Sequence, residues 1–468
     1  MDYSAANQPL WNFIIQMGLL AGSVLLANIL RRRIPFFRNS LMPVSVLAGF
    51  LLLLLKYLGI YHPDTNLLEM LVYHCIALGF IAMSLRRGEK NGDQAGRSVG
   101  FKSGAIIVST YLVQGILGLV ITIALSYTFM PGLFKAAGLL LPMGYGQGPG
   151  QANNIGITYE AMGFTGGRSF GLSIAAAGYL CACIVGVIVL NRWAKKGLLK
   201  GQVGVHESEN LSADYFQDQN EIPVSDSIDK LSVQVALVLL VYLLTYLLTH
   251  GVTSLISLLS PGLGNTVNTL LWGFNFIVGS VLAMAMRMLL DKGRKFKVIT
   301  RQYQNNYLLN RISGFFFDIM IICGIASINL EDLSGLWIPF LLMVVLGALA
   351  TWFYLKLVCT KTYEGYAKEG LISMYGMLTG TIGSGVLLLR EMDPELKTPA
   401  ANNLVSGSSY AIILGAPMLV FVSLASRSDA MCFATLGLAI LYLSVLVFVL
   451  LRKKKAAAKA DRNGSAEA

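Results

Sequence analysis

Two glycine-rich runs hold the residues whose types and spacing best suit ligand binding. Residues 138–156 read GLLLPMGYGQGPGQANNIG, and residues 375–385 read YGMLTGTIGSG. Glycine lets the backbone approach a ligand closely, helix N-termini favour a carboxylate, and freed carbonyl oxygens suit a small hard cation such as Na⁺. The residues that we predict to bind substrate or ion in these runs are Gly144, Gly146, Gln147, Gly148, Gly150, Asn153, Asn154, Thr379, Gly380, Thr381, Gly383 and Ser384.

Further polar residues outside the two runs join this prediction. Asn402 and Asn403 follow the second run, as Asn153 and Asn154 follow the glycines of the first. Paired side-chain amides can coordinate an ion or cap the helix that follows, and both interpretations of these asparagines are open.

Asp318 stands inside an apolar segment that reads GFFFDIMII. A lone carboxylate is costly there, so we expect it to face the protein interior and to have a partner, a proton or a cation. Two interpretations are open. Asp318 takes part in ion coupling, with Na⁺ held by its carboxylate and by backbone carbonyls of the glycine runs, or it makes a structural hydrogen bond to unwound backbone.

The composition places these residues in a membrane protein. Hydrophobic residues make up 55% of the 468 positions and charged residues only 13%, whereas an ordinary soluble domain is about 25% charged. The net charge of +11 lies in loops beside apolar segments, which indicates orientation and attraction to lipid headgroups and excludes nucleic acid as a partner. All six cysteines lie in apolar segments or at their ends, so no disulfide framework is expected.

Eleven apolar stretches are long enough to cross about 30 Å of hydrocarbon. The first has neither a basic region before it nor a small-residue cleavage pattern after it, so we expect a retained span rather than a removed signal peptide. The predicted spans are residues 10–30, 43–60, 67–85, 104–130, 169–190, 231–248, 267–286, 312–328, 336–359, 404–425 and 430–451.

Lysine and arginine collect in the loop after every odd-numbered span. Because short basic loops stay in the cytoplasm, this bias predicts the N-terminus outside and the C-terminus inside. An acidic linker divides the chain into halves that start on opposite sides of the membrane. The predicted units are a first membrane repeat (1–192, with a hairpin at 137–158), a cytoplasmic linker (193–230), a second membrane repeat (231–451, with a hairpin at 370–391) and a basic cytoplasmic tail (452–468).

Each glycine run would break a continuous helix although apolar residues flank it. Broken backbone is tolerated at membrane depth only where protein or a water-filled cavity satisfies its polar groups, so we interpret both runs as re-entrant hairpins. The predicted fold is therefore an all-α polytopic membrane protein of about eleven spans in two inverted repeats, whose hairpin tips meet at the midplane. The alternative is that the glycines only let helices pack closely.

These residues together resemble the bacterial sodium/glutamate symporter family. The resemblance implies two inverted repeats, ion-coupled uptake of an anionic substrate, binding at the hairpin tips and a location in the bacterial inner membrane. The chain differs from the family in three ways. It has Tyr145 and Gln147 in place of His and Thr, and it also has a long linker and an additional last span. The similar segments are Gly144-Tyr145-Gly146-Gln147-Gly148, Pro43 within MPVSVLAG, the end of the third span at residues 79–86, Gln114, and Pro417-Met418.

The leading hypothesis is sodium-coupled symport of glutamate or a related small organic anion by alternating access. A 2-hydroxycarboxylate or other carboxylate transporter, coupled to protons or sodium, is the main alternative, and an ion channel would also use re-entrant loops. An enzyme is not expected, because the span interiors offer only His74, Asp318 and Lys56 as ionisable residues apart from cysteine and tyrosine. The expected partners are the small anion, Na⁺ as coupling ion without further cofactor, and the lipid bilayer; a homo-oligomer is left open.

Overall fold

The computed structural model describes residues 7–39, 42–87, 94–196, 230–259, 275–297, 302–393 and 398–451, together with residues 268, 271 and 272. This part of the chain is all-helical and contains no β-strand. Most of the predicted linker and all of the predicted basic tail lie outside the described residues.

Long apolar sequences without internal proline form most of the helices, since intrahelical bonds satisfy the backbone where no water is present. Short 3₁₀ helices form at Lys135–Leu139 and Glu331–Leu333, and a π-helical turn forms at Pro142–Gly146. The α-helices are α1 (Gln8–Arg33), α2 (Pro35–Asn39), α3 (Val44–Tyr57), α4 (Thr65–Leu85), α5 (Gln94–Tyr127), α6 (Pro149–Ala161), α7 (Gly167–Lys195), α8 (Lys230–Leu259), α9 (Asn275–Lys295), α10 (Asn306–Ala326), α11 (Trp337–Thr362), α12 (Ala367–Thr379), α13 (Ile382–Arg390), α14 (Ala400–Leu414), α15 (Ala416–Ala425) and α16 (Asp429–Leu451).

Eight helices among the described residues are long and apolar enough to cross a membrane: α1, α4, α5, α7, α8, α10, α11 and α16. The pair α14 and α15, bent by 52°, would make a ninth span if it crosses as one unit. Of the other predicted spans, α3 has only 14 residues, and the C-terminal part of α9 carries five charged side chains. The helices are thus consistent with a multi-pass membrane protein, and the count of eleven stays a prediction.

The helices pack in a pattern that repeats in the two halves of the chain. Helices α4 and α10 pack together, α3 packs on α10 as α9 packs on α4, and α1 packs on α3 as α8 packs on α9. Likewise α5 packs on α11, the first 3₁₀ helix packs on α5 as α12 packs on α11, and α14 packs on α5 as α7 packs on α11. Each of these contacts therefore has a counterpart when α1, α3, α4, α5, the first 3₁₀ helix and α7 are exchanged with α8, α9, α10, α11, α12 and α14.

A buried glutamine makes the same hydrogen bond in each half. On α1, Gln16 Nε2 donates to the carbonyl oxygen of His62 at 3.0 Å, and on α8, Gln234 Nε2 donates to the carbonyl oxygen of Tyr303 at 2.6 Å. Each acceptor lies two residues before an N-cap residue. These bonds fix α1 to the chain just before the N-terminus of α4, and α8 to the chain just before the N-terminus of α10.

The N-caps of α4 and α10 also correspond. The Asp64 carboxylate accepts from the backbone N–H of Leu67 at 3.2 Å, and the Asn305 side chain accepts from the backbone N–H of Leu308 at 2.8 Å. In both helices the cap satisfies a first-turn donor that has no partner within the helix.

A basic side chain satisfies the backbone just after each of these two helices. Lys56 Nζ on α3 donates to the carbonyl oxygen of Ile328 after α10, and Arg287 on α9 donates to the carbonyl oxygen of Arg86 after α4, both at 2.8 Å. Helices α3 and α9 also correspond in their packing. The two halves therefore match in these side-chain hydrogen bonds as well as in their helix contacts.

The break between α14 and α15 depends on the last helix. At the break, Met418 N–H donates to the carbonyl oxygen of Gly415 at 2.9 Å, so the Leu414 carbonyl loses its usual acceptor role within the helix. Tyr442 on α16 instead donates its hydroxyl to the Leu414 oxygen at 2.7 Å. The additional helix α16 therefore satisfies backbone that the bend exposes.

The first broken segment is placed by a direct backbone contact. Gly118 on α5 and Gly138 in the first 3₁₀ helix lie so close that a Cβ on either glycine would overlap backbone atoms of the other. No larger residue allows this approach, and the contact fixes where the chain turns toward the glycine run.

Because backbone cannot move aside as a side chain can, we expect Gly138→Ala to lower the free energy of unfolding by about 1–3 kcal/mol or more. Gly132→Ala, in the same connection but with no atom within 4 Å of the new Cβ, is the matched control. Thermal denaturation of detergent-purified protein measures both. Equal stability of the two variants would contradict the close backbone contact.

Candidate functional site

The first glycine run forms a helical segment that is broken at Gly148. The π-helical turn closes with the Gln147 N–H donating to the carbonyl oxygen of Pro142 at 3.1 Å. Gly148 then adopts φ +86°, which L side chains rarely adopt, and α6 begins at Pro149. The prolines and Gly148 together explain why one continuous helix does not form here.

The second glycine run breaks at Gly380. Helix α12 ends at Thr379, Gly380 has φ −138° and ψ −106°, and α13 begins at Ile382. The Thr381 hydroxyl caps α13 by accepting from the backbone N–H of Ser384 at 3.4 Å. Residues 371–380 are all buried, so the break lies inside the protein.

Helix α7 touches both broken segments at two consecutive residues. A Cβ on Gly178 would overlap the Thr379 carbonyl oxygen and lie 2.9 Å from Tyr145 Cδ1. The next residue, Tyr179, also reaches both segments. A Cβ on Gly148 would lie 3.9 Å from the Tyr179 hydroxyl, and a Cβ on Gly380 would lie 3.1 Å from Tyr179 Cδ1.

Gln114 on α5 supports the end of α12. Its side-chain nitrogen donates to the Leu378 carbonyl oxygen and to the Thr351 hydroxyl, both at 2.9 Å. The bond to Leu378 satisfies one of the carbonyls that a helix C-terminus leaves without a partner. A buried amide therefore holds the second broken segment against the helix pair α5 and α11.

Several glycines of the first run are enclosed by protein. A Cβ on Gly146 would overlap the Tyr111 ring, and a Cβ on Gly150 would lie 2.5 Å from Ile76 Cδ1. Gly144 is enclosed in the same way by α7. Close helix packing explains these three positions without a ligand.

Gly148 and Gly383 have more space. The only atom near a Cβ on Gly148 is the Tyr179 hydroxyl oxygen, and the only one near a Cβ on Gly383 is the Thr381 hydroxyl oxygen at 3.5 Å. Gly380 is tighter, with the Ser384 hydroxyl oxygen 3.0 Å from its Cβ position. Of the predicted glycines, Gly148 combines open space with a backbone conformation that favours glycine.

Buried polar atoms without hydrogen-bond partners are concentrated beside the first break. Both amide atoms of Gln151 and of Asn153 are buried and unpartnered among the described residues, and so is the Tyr179 hydroxyl. On the second segment, the Ser384 hydroxyl oxygen is buried without a partner. Since leaving a buried polar group unpaired costs about 1–3 kcal/mol, such a concentration is typical of a site that a ligand completes.

Asp318 lies on α10 and is an exposed residue, which differs from the expectation that it faces the protein interior. It is next to the Ser45 side chain of α3 and within electrostatic range of Tyr179. Gly314, one turn earlier, has no atom within 4 Å of its Cβ position. A carboxylate with open space and an adjacent hydroxyl supplies the oxygen ligands that a small hard cation prefers.

The predicted asparagines have different surroundings. Asn154 is buried on α6 beside Asn153, whereas Asn402 is exposed on α14. Asn403 is buried and donates its amide to the Tyr366 hydroxyl, just before α12, at 2.9 Å. The contacts that join the two broken segments through α7 include neither Asn402 nor Asn403.

Charged residues border the first segment at its far end. The Arg168 guanidinium forms an ion pair with Glu69 of α4, and the Arg168 backbone N–H donates to Glu160 Oε1 at 3.0 Å. Burial raises the pKa of Glu160 above its usual range, and the hydrogen bond from Arg168 opposes that shift. Burial also raises the pKa of Glu391, which follows α13. The contacts of Arg168 thus join the end of α6 and the start of α7 to α4.

No group of three or more His, Cys, Asp and Glu residues in the described ranges is arranged to hold a metal ion. Oxygen atoms that could bind a cation include those of Asp318 and Ser45, the backbone carbonyls at the breaks, and the unpartnered side-chain oxygens of Gln151, Asn153 and Ser384. Tyr179 and Gln151 were not predicted from the sequence, because a tyrosine in an apolar helix and a glutamine after a glycine run resemble ordinary packing residues.

Comparison with known proteins does not identify a family, since no family model and no curated protein matches the chain. The observations that bear on function are therefore the fold, the two broken segments and the unpartnered polar groups between them.

Gln151→Met is expected to raise the free energy of unfolding of the ligand-free protein by about 1–3 kcal/mol, because methionine fills the same space without an unpaired amide. The matched control Gln114→Met should lower stability, since it removes the bonds to Leu378 and Thr351. Denaturation curves in detergent measure both changes. A loss of stability in Gln151→Met equal to that in Gln114→Met would show that Gln151 serves the fold.

Proposed function

We propose that this protein is a secondary active transporter that couples uptake of glutamate, or a related small organic anion, to Na⁺ by alternating access. The observation that carries the proposal is the contact of two broken segments, one from each half, with Tyr179. Broken backbone enclosed by protein is typical of transporter binding sites, because it presents backbone donors and acceptors to substrate and ion.

Two inverted repeats with re-entrant hairpins form part of this proposal. The repeated helix packing supports it, and so do the matched bonds of Gln16 with Gln234 and of Lys56 with Arg287. An odd number of spans before the linker would invert the second half, as the alternation of basic loops predicts. The N-terminus then lies outside, the C-terminus lies in the cytoplasm, and eleven spans cross the bacterial inner membrane.

The coupling ion is proposed to bind near Asp318. This carboxylate, the Ser45 hydroxyl and carbonyl oxygens at the breaks are hard oxygen ligands that suit Na⁺. Binding a cation would neutralise a charge that is otherwise costly at membrane depth. Asp318 lies within electrostatic range of Tyr179. A cation bound to the Asp318 carboxylate would therefore change the affinity for an anion beside that tyrosine.

The resemblance of the first glycine run to sodium/glutamate symporters supports the choice of substrate. The main alternative is transport of a 2-hydroxycarboxylate or another carboxylate, which the same broken segments would also serve. A channel would conduct without dependence on a second ion gradient, so it differs from the proposal in a measurable way.

Purified protein in liposomes should accumulate labelled glutamate when an inward Na⁺ gradient is imposed. Asp318→Asn should reduce the Na⁺-driven rate at least tenfold, because the amide keeps the shape of the side chain and removes the charge that binds the cation. A competitor panel of succinate, malate and citrate ranks the substrates.

The matched control is Asp291→Asn, which removes an exposed carboxylate paired with Arg87 on another surface. It should transport at nearly the parent rate, since exposed ion pairs contribute little. Normal Na⁺ dependence in Asp318→Asn would exclude the coupling role, and accumulation independent of any ion gradient would exclude symport.

The proposed orientation predicts opposite labelling of two exposed positions. In a background without the six native cysteines, Asn66→Cys at the start of α4 should react with a membrane-impermeant maleimide on intact cells. Glu364→Cys, between α11 and α12, should react only after permeabilisation. The reverse pattern would overturn the orientation and the proposal that the two segments enter from opposite sides.

A further inference from the structure

The N-terminus of α6 has donors that the protein does not use. Its N-cap residue, Gly148, has no side chain to accept from the first turn, and Pro149 has no N–H. Ala152 N–H donates to the Gly148 carbonyl oxygen, so the backbone N–H groups of Gly150 and Gln151 remain as the first-turn donors. No hydrogen bond to another described residue occupies either of them.

The second break lacks this arrangement. Thr381 caps α13 by accepting from the Ser384 backbone N–H. One of the first-turn donors of α13 is thus already satisfied by a side chain. Of the two breaks, only the one at Gly148 leaves its helix N-terminus without a side-chain cap.

Two buried side chains add donors at the same place. The Tyr179 hydroxyl has no partner and is the nearest group to the open side of Gly148, and Tyr179 is only 1% exposed. Gln151, in the first turn of α6, is also 1% exposed and has an unpartnered amide. The first turn of α6 and the residue that faces Gly148 thus supply a small set of buried donors without partners.

These donors match one carboxylate group. An ionised carboxylate only accepts hydrogen bonds and has about four acceptor positions on its two oxygens. Backbone N–H groups, a hydroxyl and an amide can fill those positions, and the positive end of the α6 dipole favours the negative charge. Arg168, a basic residue that follows this segment, is already paired with Glu69.

We infer that the N-terminus of α6, with the Tyr179 hydroxyl and the Gln151 amide, binds a carboxylate group of the substrate. This inference rests on the proposed function for the identity of the ligand as a substrate. It assigns to Tyr179 a direct contact with that carboxylate, whereas the enclosed glycines Gly144 and Gly146 serve packing. The nearby charge of Asp318 repels the bound anion until a cation neutralises it, so anion binding requires the cation.

The test measures binding without transport. Melting temperatures of the detergent-purified full chain are recorded against rising concentrations of sodium glutamate, succinate, malate and citrate, with sodium chloride holding Na⁺ constant. Apparent dissociation constants follow from the concentration dependence. In Tyr179→Phe the constant of the tightest carboxylate should rise about tenfold to a hundredfold, as for loss of one hydrogen bond to a charged group.

The matched control is Tyr375→Phe. Its hydroxyl is also buried without a partner, but it lies on α12, with its ring against Trp352 at 5.4 Å between centroids. Binding by Tyr375→Phe should equal that of the parent. Replacing Na⁺ by choline should weaken binding by the parent.

Parent-like binding in Tyr179→Phe, equal weakening in both tyrosine variants, or no stabilisation of the parent by any carboxylate would each overturn the assignment. Liposome uptake separates it from the proposed function. Carboxylate binding that depends on Tyr179 in a protein without uptake retains the binding site and rejects transport. Na⁺-driven uptake with an unchanged KM in Tyr179→Phe retains transport and rejects the site.

Discussion

The structure depends on the requirement that backbone polar groups in apolar surroundings find partners within the protein. Continuous helices meet it internally, but each break releases N–H and carbonyl groups that lipid cannot satisfy. Side chains from other helices do this at two breaks: Gln114 bonds to the Leu378 carbonyl, and Tyr442 bonds to the Leu414 carbonyl. Broken segments can therefore exist only where neighbouring helices enclose them. The same enclosure brings the unused donors of the two segments close together.

Much of the helical fold could be predicted from sequence, because length and apolarity are local properties. The two breaks were also predictable, since Pro142, Pro149 and clustered glycine disfavour helix wherever they occur. Which helices pack against each other could not be predicted from the sequence. The bonds of Gln16 and Gln234 come from single polar residues in apolar helices, and such residues form no pattern before the chain is folded.

The candidate site was predictable by region but not by residue. Gly146 and Gly148 stand two positions apart in one motif, yet Tyr111 fills the space at Gly146 and the space at Gly148 is open. That difference arises from α5, which carries Tyr111, and α7, which carries Tyr179. Both helices lie outside the motif in the sequence. Tyr179 belongs to an apolar helix of ordinary composition, and only its unpartnered hydroxyl beside Gly148 distinguishes it.

The dependence of the bent pair α14 and α15 on α16 also affects the order of biogenesis. The Leu414 carbonyl receives its hydrogen bond from Tyr442, which is synthesised 28 residues later. Until α16 has been synthesised and packed, the Leu414 carbonyl therefore needs another donor, such as water. Nonsense mutations that remove only the last helix would leave the bend without this hydrogen bond and α5 and α15 without the packing of α16.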